Sequence, residues 1–363
     1  MDSLIDQLND VLATKDLSRR AEILRQVTDL FMLGSGKFTD EQIDLFDDVM
    51  GKLVAGIEIA ARATFGSRLS MAPDAPRKVI RALAFDDAVE VAAPVLTHSV
   101  RLDDATLVEN AETKSQGHLL AISGRSTLVE TVTDVLVTRG NHPVLARTAA
   151  NRGAKFSSSG MSTLVKRAQD HSDLVLCIWS RPDIPRHDLV RLFSQASEIV
   201  RRKLEAADPR RAALIRSAVA SASEEIQAIA RTGSHEHATA FEQVQSLHAR
   251  GQLDEAKLMD FAHRGDFDRT TVALSIMCDL PIGVIERALV QDEPEQLLVF
   301  AKAIDLSWET TKALLVLQAG QDKSAKEKLN QHFASYFRLK LKTAQAALQF
   351  YRLRERANQN SLH

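Results

Sequence analysis

Apolar and polar positions along this chain recur as a segment of 26 to 30 residues. Four copies align between Asp87 and Ala196. Each opens on an apolar run: Val89-Glu90-Val91-Ala92, His118-Leu119-Leu120-Ala121, Val144-Leu145-Ala146 and Leu174-Val175-Leu176. A polar stop follows, in turn His98, Arg125, Asn151 and Arg181, and then an apolar anchor, Leu102, Leu128, Phe156 and Ile184. A second apolar run closes each copy. A fixed period of this size is the mark of stacked repeats, and it predicts helix, tight turn, helix in every copy.

Local signals place the helix ends. Thr39 with Gln42, and Thr127 with Glu130, have capping-box spacing. Asn141 precedes His142-Pro143, and proline costs no hydrogen bond in a first turn. Asp183 is placed to cap the helix after Pro185. Gly124 and Asn151-Arg152-Gly153 are predicted to be left-handed helix exits.

Outside the repeats, residues 1–70 read as three helices, with stripes at Leu4–Leu12, Ala21–Phe31 and Ile43–Ile57. Met71 to Pro76 breaks the pattern, because proline disfavours helix in the residue before it. Asp208-Pro209 opens a long helix to about Arg231. Its narrow apolar face (Leu214, Ala218, Val219, Ala222, Ile226, Ile229) is suited to close packing between helices. Two further units stop at Asp279 and Asp305, again 26 residues apart. A basic helix from about Ala334 to Ala357 ends the chain. The expected division is an N-terminal helical region (1–76), a repeat block (77–207), a helical extension (208–265) and C-terminal repeats with the basic helix (266–363).

Composition agrees with an all-α fold. Ala, Leu and Val carry the apolar load, aromatics are 5%, and there are 15 Gly and 9 Pro in 363 residues. The net charge of -2 argues against a strongly basic nucleic-acid binder. Cys177 and Cys278 both lie in apolar runs and read as reduced core residues, which suits a reducing compartment. The opening MDSLIDQLND lacks a basic n-region and an apolar h-region, and no run is long enough to span a membrane. The expectation is a cytoplasmic protein with no membrane span.

Asp86-Asp87 with Val91-Ala92-Ala93-Pro94-Val95-Leu96, Ala121-Ile122-Ser123-Gly124-Arg125, Val137-Thr138-Arg139-Gly140-Asn141 and Asn151-Arg152-Gly153-Ala154-Lys155-Phe156-Ser157 resemble a bacterial family, found mainly in alphaproteobacteria, annotated only as a domain of unknown function. The similarity runs from about Arg20 to Leu204 and more loosely through the last third. It implies a HEAT-like or leucine-rich-variant helical superhelix and carries no activity. The fourth copy departs from the pattern at Trp179-Ser180-Arg181-Pro182.

Chemistry is sparse. Gly34-Ser35-Gly36 lacks the rest of a dinucleotide fingerprint, and no Gly-x-Ser-x-Gly elbow occurs. His235 and His237 are two apart, so on a helix they point to different sides, and no metal site is expected. No catalytic residue and no cofactor is nominated.

The stops His98, Arg125, Asn151 and Arg181 have two readings. They are helix exits whose side chains satisfy the last carbonyls, or a polar partner-binding ladder with Arg147, Arg152 and Lys155. Asp279 and Asp305 reverse the sign in the second block. Arg338, Lys340, Lys342, Arg352, Arg354 and Arg356 of the terminal helix face one acid, Glu355. They form a solvated face, meet an acidic partner, or bind nucleic acid or an anionic membrane. Tyr336, Phe337, Phe350 and Tyr351 lie among them, either as stacking groups or as a core stripe.

The expected function is a non-catalytic scaffold or regulatory adaptor for an unidentified protein partner, in bacterial signalling. Self-association to a homodimer through the acidic N-terminal helices (13 Asp/Glu, 8 Lys/Arg to Pro76) is a further expectation. A nucleic-acid-binding HEAT-like protein is the first rival, although residues 77–200 hold 15 Lys/Arg and 14 Asp/Glu. An enzyme on a helical-repeat fold ranks below it.

Overall fold

The computed structural model describes residues 17–169, 171–181, 183–291, 293–319 and 325–360. The stripe at Leu4–Leu12 lies outside them. The described residues form 21 α-helices and no strand, so the fold is all-α. The chain divides into two compact units, residues 1–160 and 161–363.

Unit 1 holds α1 (Leu17–Gly34), α2 (Asp40–Val54), α3 (Ile59–Leu69), α4 (Arg77–Ala84), α5 (Val89–His98), α6 (Asp104–Thr113), α7 (Gln116–Ser123), α8 (Glu130–Arg139) and α9 (His142–Ala150). The start of α10 (Ser158–Arg167) completes it. Each odd helix packs on the next odd one, from α1 to α9, while α2 packs on α4 and α6 on α8. This two-layer stacking buries the apolar runs. Val91, Leu96, Leu119, Ile122, Leu136 and Val144 are almost wholly removed from solvent.

The N-terminal region contains a helix break that the pattern did not announce. Gly56 adopts φ +82, which ends the Ile43 stripe after Val54, and Ile57 and Phe65 enter the core from a separate α3. The capping box at Thr39 and Gln42 is present, with Gln42 N to Thr39 Oγ1 at 3.3 Å and Thr39 N to Gln42 Oε1 at 3.0 Å. Asn141 caps α9 as expected.

Three sequence-based expectations need correction. The capping box at Thr127 and Glu130 does not form. Instead Leu128 enters a parallel bridge with Ala154, with Leu128 N to Gly153 O at 3.1 Å and Lys155 N to Leu128 O at 2.9 Å. The chain stays extended past Thr127, so Val129 becomes the cap position of α8. Asp183 does not cap its helix, because its carboxylate is taken by Arg181 at 2.8 Å. Neither Gly124 nor Asn151 is left-handed. At Gly124 a Cβ would lie 2.4 Å from the Arg147 guanidinium. At Gly153 it would lie 1.8 Å from the Ser126 carbonyl oxygen. These glycines allow close approach rather than an unusual φ.

Unit 2 begins within α10 and continues with α11 (Ser172–Trp179), α12 (Arg186–Ala207), a 3₁₀ turn (Pro209–Arg211) and α13 (Ala212–Thr232). Then come α14 (His235–Ala249), α15 (Glu255–His263), α16 (Phe267–Cys278), α17 (Ile282–Val290), α18 (Glu295–Ala303), α19 (Trp308–Ala319), α20 (Ala325–Arg338) and α21 (Leu341–Asn360). The two late units are helix-turn-helix, as the spacing of their stops predicts. Asp279 and Asp305 adopt φ 50 and φ 57, the left-handed exits that short polar residues tolerate. The basic terminal segment is two helices, broken at Leu339-Lys340, and not one.

The core of unit 2 runs from Val190 through Val244, Leu274, Leu289, Phe300 and Leu314 to Leu348. Ala344 and Leu348 of α21 are buried, and the Tyr351 ring meets Phe300 edge-on at 5.3 Å.

Candidate functional site

The predicted polar ladder divides along the two readings. Arg125 donates to Leu96 O at 2.6 Å and to Ser99 O at 2.9 Å. Asn151 donates to Ser123 O at 3.0 Å and to Arg125 O at 2.7 Å. Arg101 donates to Ala75 O at 3.0 Å. Each reaches back one repeat and satisfies carbonyls that a helix end leaves unpaired. Burial pushes the Arg125 guanidinium below its ordinary pKa. Arg125 and Asn151 are therefore mortar between repeats.

His98, Arg147, Arg152 and Lys155 are exposed on unit 1. Arg181, in unit 2, has a side chain only 7% exposed and is paired with Asp183. It does not present a cation to solvent.

The terminal basic residues divide in a similar way. Arg352 donates to Cys278 O at 2.9 Å, and Arg356 reaches Asp279 Oδ2 at 3.3 Å. The exposed acid of the left-handed α16 exit thus meets the basic side of α21 at the surface. Arg354 pairs with Glu355 at 3.1 Å and lies over the Tyr351 ring. Arg338, Lys340 and Lys342 are exposed. Tyr336 is buried and donates to Leu306 O, which leaves Phe337 and Phe350 outside.

A charged centre in unit 2 escaped sequence reasoning. Arg186, the first residue of α12, pairs with Asp268 of α16 at 2.7 Å and with Glu286 of α17. Glu286 is fully buried and also takes Arg231 of α13 at 2.5 Å. Arg231 reaches Glu224 at 3.0 Å, and Glu224 binds Arg287 as well. His237 Nδ1 lies 3.0 Å from Asp268 Oδ1. His235 is exposed on the other side of α14, so the two histidines do not converge.

Three guanidiniums thus meet three carboxylates, and the charges balance. Burial works against ionisation of Glu224, yet Arg287 and Arg231 hold its carboxyl below the ordinary range. The network fixes the starts of α12 and α14 and the end of α13 to α16 and α17. The available sequence signal was Glu286 itself, an acid inside Val284-Ile285-Glu286-Arg287-Ala288-Leu289.

The α12–α13 pair held by this network is packed in an unexpected sense. The apolar face of α13 was predicted to bury itself against another helix. It does not. Of that face only Val219 is half-buried; Leu214, Ala218, Ala222, Ile226 and Ile229 are exposed, with Leu214 and Ile229 each at 65%. The opposite, small and polar side meets α12, where Ser197 Oγ donates to Ser223 Oγ at 3.1 Å. Val200 and Leu204 of α12 are exposed as well.

A family model described as an uncharacterised protein conserved in bacteria (DUF2336) matches residues 91–349. The chain belongs to this family. The match begins later than the resemblance suggested, extends through the last third where the resemblance was looser, and ends within α21. No curated protein and no solved structure matches the chain. No helix among the described residues is long and apolar enough to cross a membrane.

Proposed function

We propose that this protein is a non-catalytic interaction scaffold that engages a protein partner through the outward stripe of α13. The observation that carries this reading is the inverted packing of that helix. Leu214, Ala218, Ala222, Ile226 and Ile229 face solvent, while Ser223 meets α12 and Ile215 and Val219 are half-buried. A contiguous exposed apolar stripe on an ordered helix is suited to a partner's apolar groove or helix. The buried ion network fixes the base of the α12–α13 pair, so the stripe is presented on a rigid element. Nucleic acid stays the second reading, because Arg125, Arg181, Arg352 and Arg356 spend their guanidiniums within the chain.

The test is capture from the protein's own cell lysate with the full chain, with and without nuclease, read by mass spectrometry. The control variant is Leu214→Glu with Ile229→Glu, two solvent-facing changes. A protein retained after nuclease and lost in the variant supports the proposal. Capture unchanged in the variant, or abolished by nuclease, sinks it.

A further inference from the structure

The α12–α13 hairpin is packed on fewer sides than its sequence calls for. From Ala196 in the middle of α12, through the Pro209–Arg211 turn, to Ile226 of α13, no residue is fully buried. This stretch nonetheless carries Val200, Leu204, Leu214 and Ile226, each between 45% and 65% exposed. Two helices side by side leave an outer face on each, and a second pair of helices closes such a face as a four-helix bundle. The outward side of α13 also has a palindromic order. Leu214 and Ala222 stand four residues either side of Ala218, and Arg211 and Glu225 stand seven either side. All five are exposed, and at 3.6 residues per turn they lie on one side of the helix.

We propose that the occupant of the α13 stripe is a second copy of this chain, and that two hairpins join antiparallel through α13 into a four-helix bundle. This rests on the reading of the stripe as an interaction surface and names its partner. A two-fold axis at Ala218 sets each position against its mirror image, because a two-fold contact uses the same patch on both copies. Leu214 then faces Ala222 of the second copy, a large side chain against a small one. Ala218 faces its own copy, where two methyl groups let the helix backbones approach closely. Arg211 faces Glu225 of the second copy, and symmetry makes this ion pair twice. A parallel arrangement would set Arg211 against Arg211 and Glu225 against Glu225, so charge selects the antiparallel one. Glu225 takes part in no ion pair among the described residues. Arg211 touches Asp208 at 3.4 Å, but the two side chains are 73% and 45% exposed, and such a surface pair holds the guanidinium only weakly.

Sedimentation equilibrium of the full chain over a range of concentrations tests the assignment. The expected result is a dimer, twice the chain mass of 40.1 kDa. Ala218→Glu places two like charges at the axis and should leave a monomer. Glu225→Arg should weaken the dimer by about tenfold, the effect of turning two exposed ion pairs into repulsions. Adding Arg211→Glu to Glu225→Arg should restore it, a rescue that a misfolded variant would not show. The register has its own test. Under mild oxidation Ala218→Cys should cross-link to its copy, while Ala220→Cys, exposed on another side of α13, should not. A monomer at every concentration up to about 100 μM, a dimer indifferent to Ala218→Glu, or equal cross-linking at the two cysteines would each overturn the proposal. A monomer that still captures a lysate protein, lost on Leu214→Glu with Ile229→Glu, overturns the second copy as partner and leaves the scaffold reading standing. A monomer that captures nothing overturns both.

Discussion

The Arg125 guanidinium donates to the Leu96 carbonyl at 2.6 Å, from one repeat to the end of the helix before it. This bond turns a residue that looks like a surface cation into a structural tie. Arg125→Ala should lower the stability of unit 1 by about 2–3 kcal/mol, since two charge-assisted bonds to helix-end carbonyls are lost. Arg147→Ala, at an exposed position, should stay within about 0.5 kcal/mol. Urea denaturation of the two variants makes the comparison, and equal effects would refute the tie.

Gly124 and Gly153 offer a second contrast. A Cβ at Gly153 would strike the Ser126 backbone oxygen, which cannot yield without breaking the Leu128–Ala154 bridge. A Cβ at Gly124 would meet only the far end of Arg147, which can swing away. Gly153→Ala should therefore cost about 2 kcal/mol or more, and Gly124→Ala less than about 1 kcal/mol. Thermal unfolding decides between them.

The charged centre of unit 2 should respond to both mutation and pH. Glu286→Ala leaves Arg186 and Arg231 facing a buried space and should cost about 3–5 kcal/mol. The Glu224 carboxyl has its pKa lowered by Arg287 and Arg231, against burial. Its contribution is fully present above the unfolded-state pKa of a glutamate and is lost as pH falls through the lower folded-state value. Glu224→Gln should flatten the acid limb of the stability curve. An acid limb identical to that of the unchanged protein would exclude Glu224 from the linkage.

The two cysteines should differ in reactivity. Burial pushes the Cys278 thiol up to about 12, against the pull of Arg352. Cys177 is only partly buried. Iodoacetamide at mildly alkaline pH should label Cys177 first and reach Cys278 only on unfolding, because the thiolate is the reactive species. Peptide mapping reads the order, and early labelling of Cys278 would contradict its burial.

The repeat period determined by itself that α5 to α12 and α16 to α19 would alternate as helix, turn, helix. Apolar spacing and cap residues are local, and short-range sterics enforce them. For the same reason Asp279 and Asp305 were legible as exits, and Thr39 and Asn141 as caps. Asp183 and Thr127 show where local signals fail. Each lost its expected capping role, one to Arg181 and the other to a bridge at Leu128. Only the tertiary structure decided which side of a helix is buried. The stripe on α13 has the spacing of a core face, but hydrophobic period fixes a face and not what meets it. The same limit hid the partnering of Glu286 with Arg186, 100 residues away. An ionic contact leaves no periodic trace, because it depends on which helices the packing of the whole unit brings together.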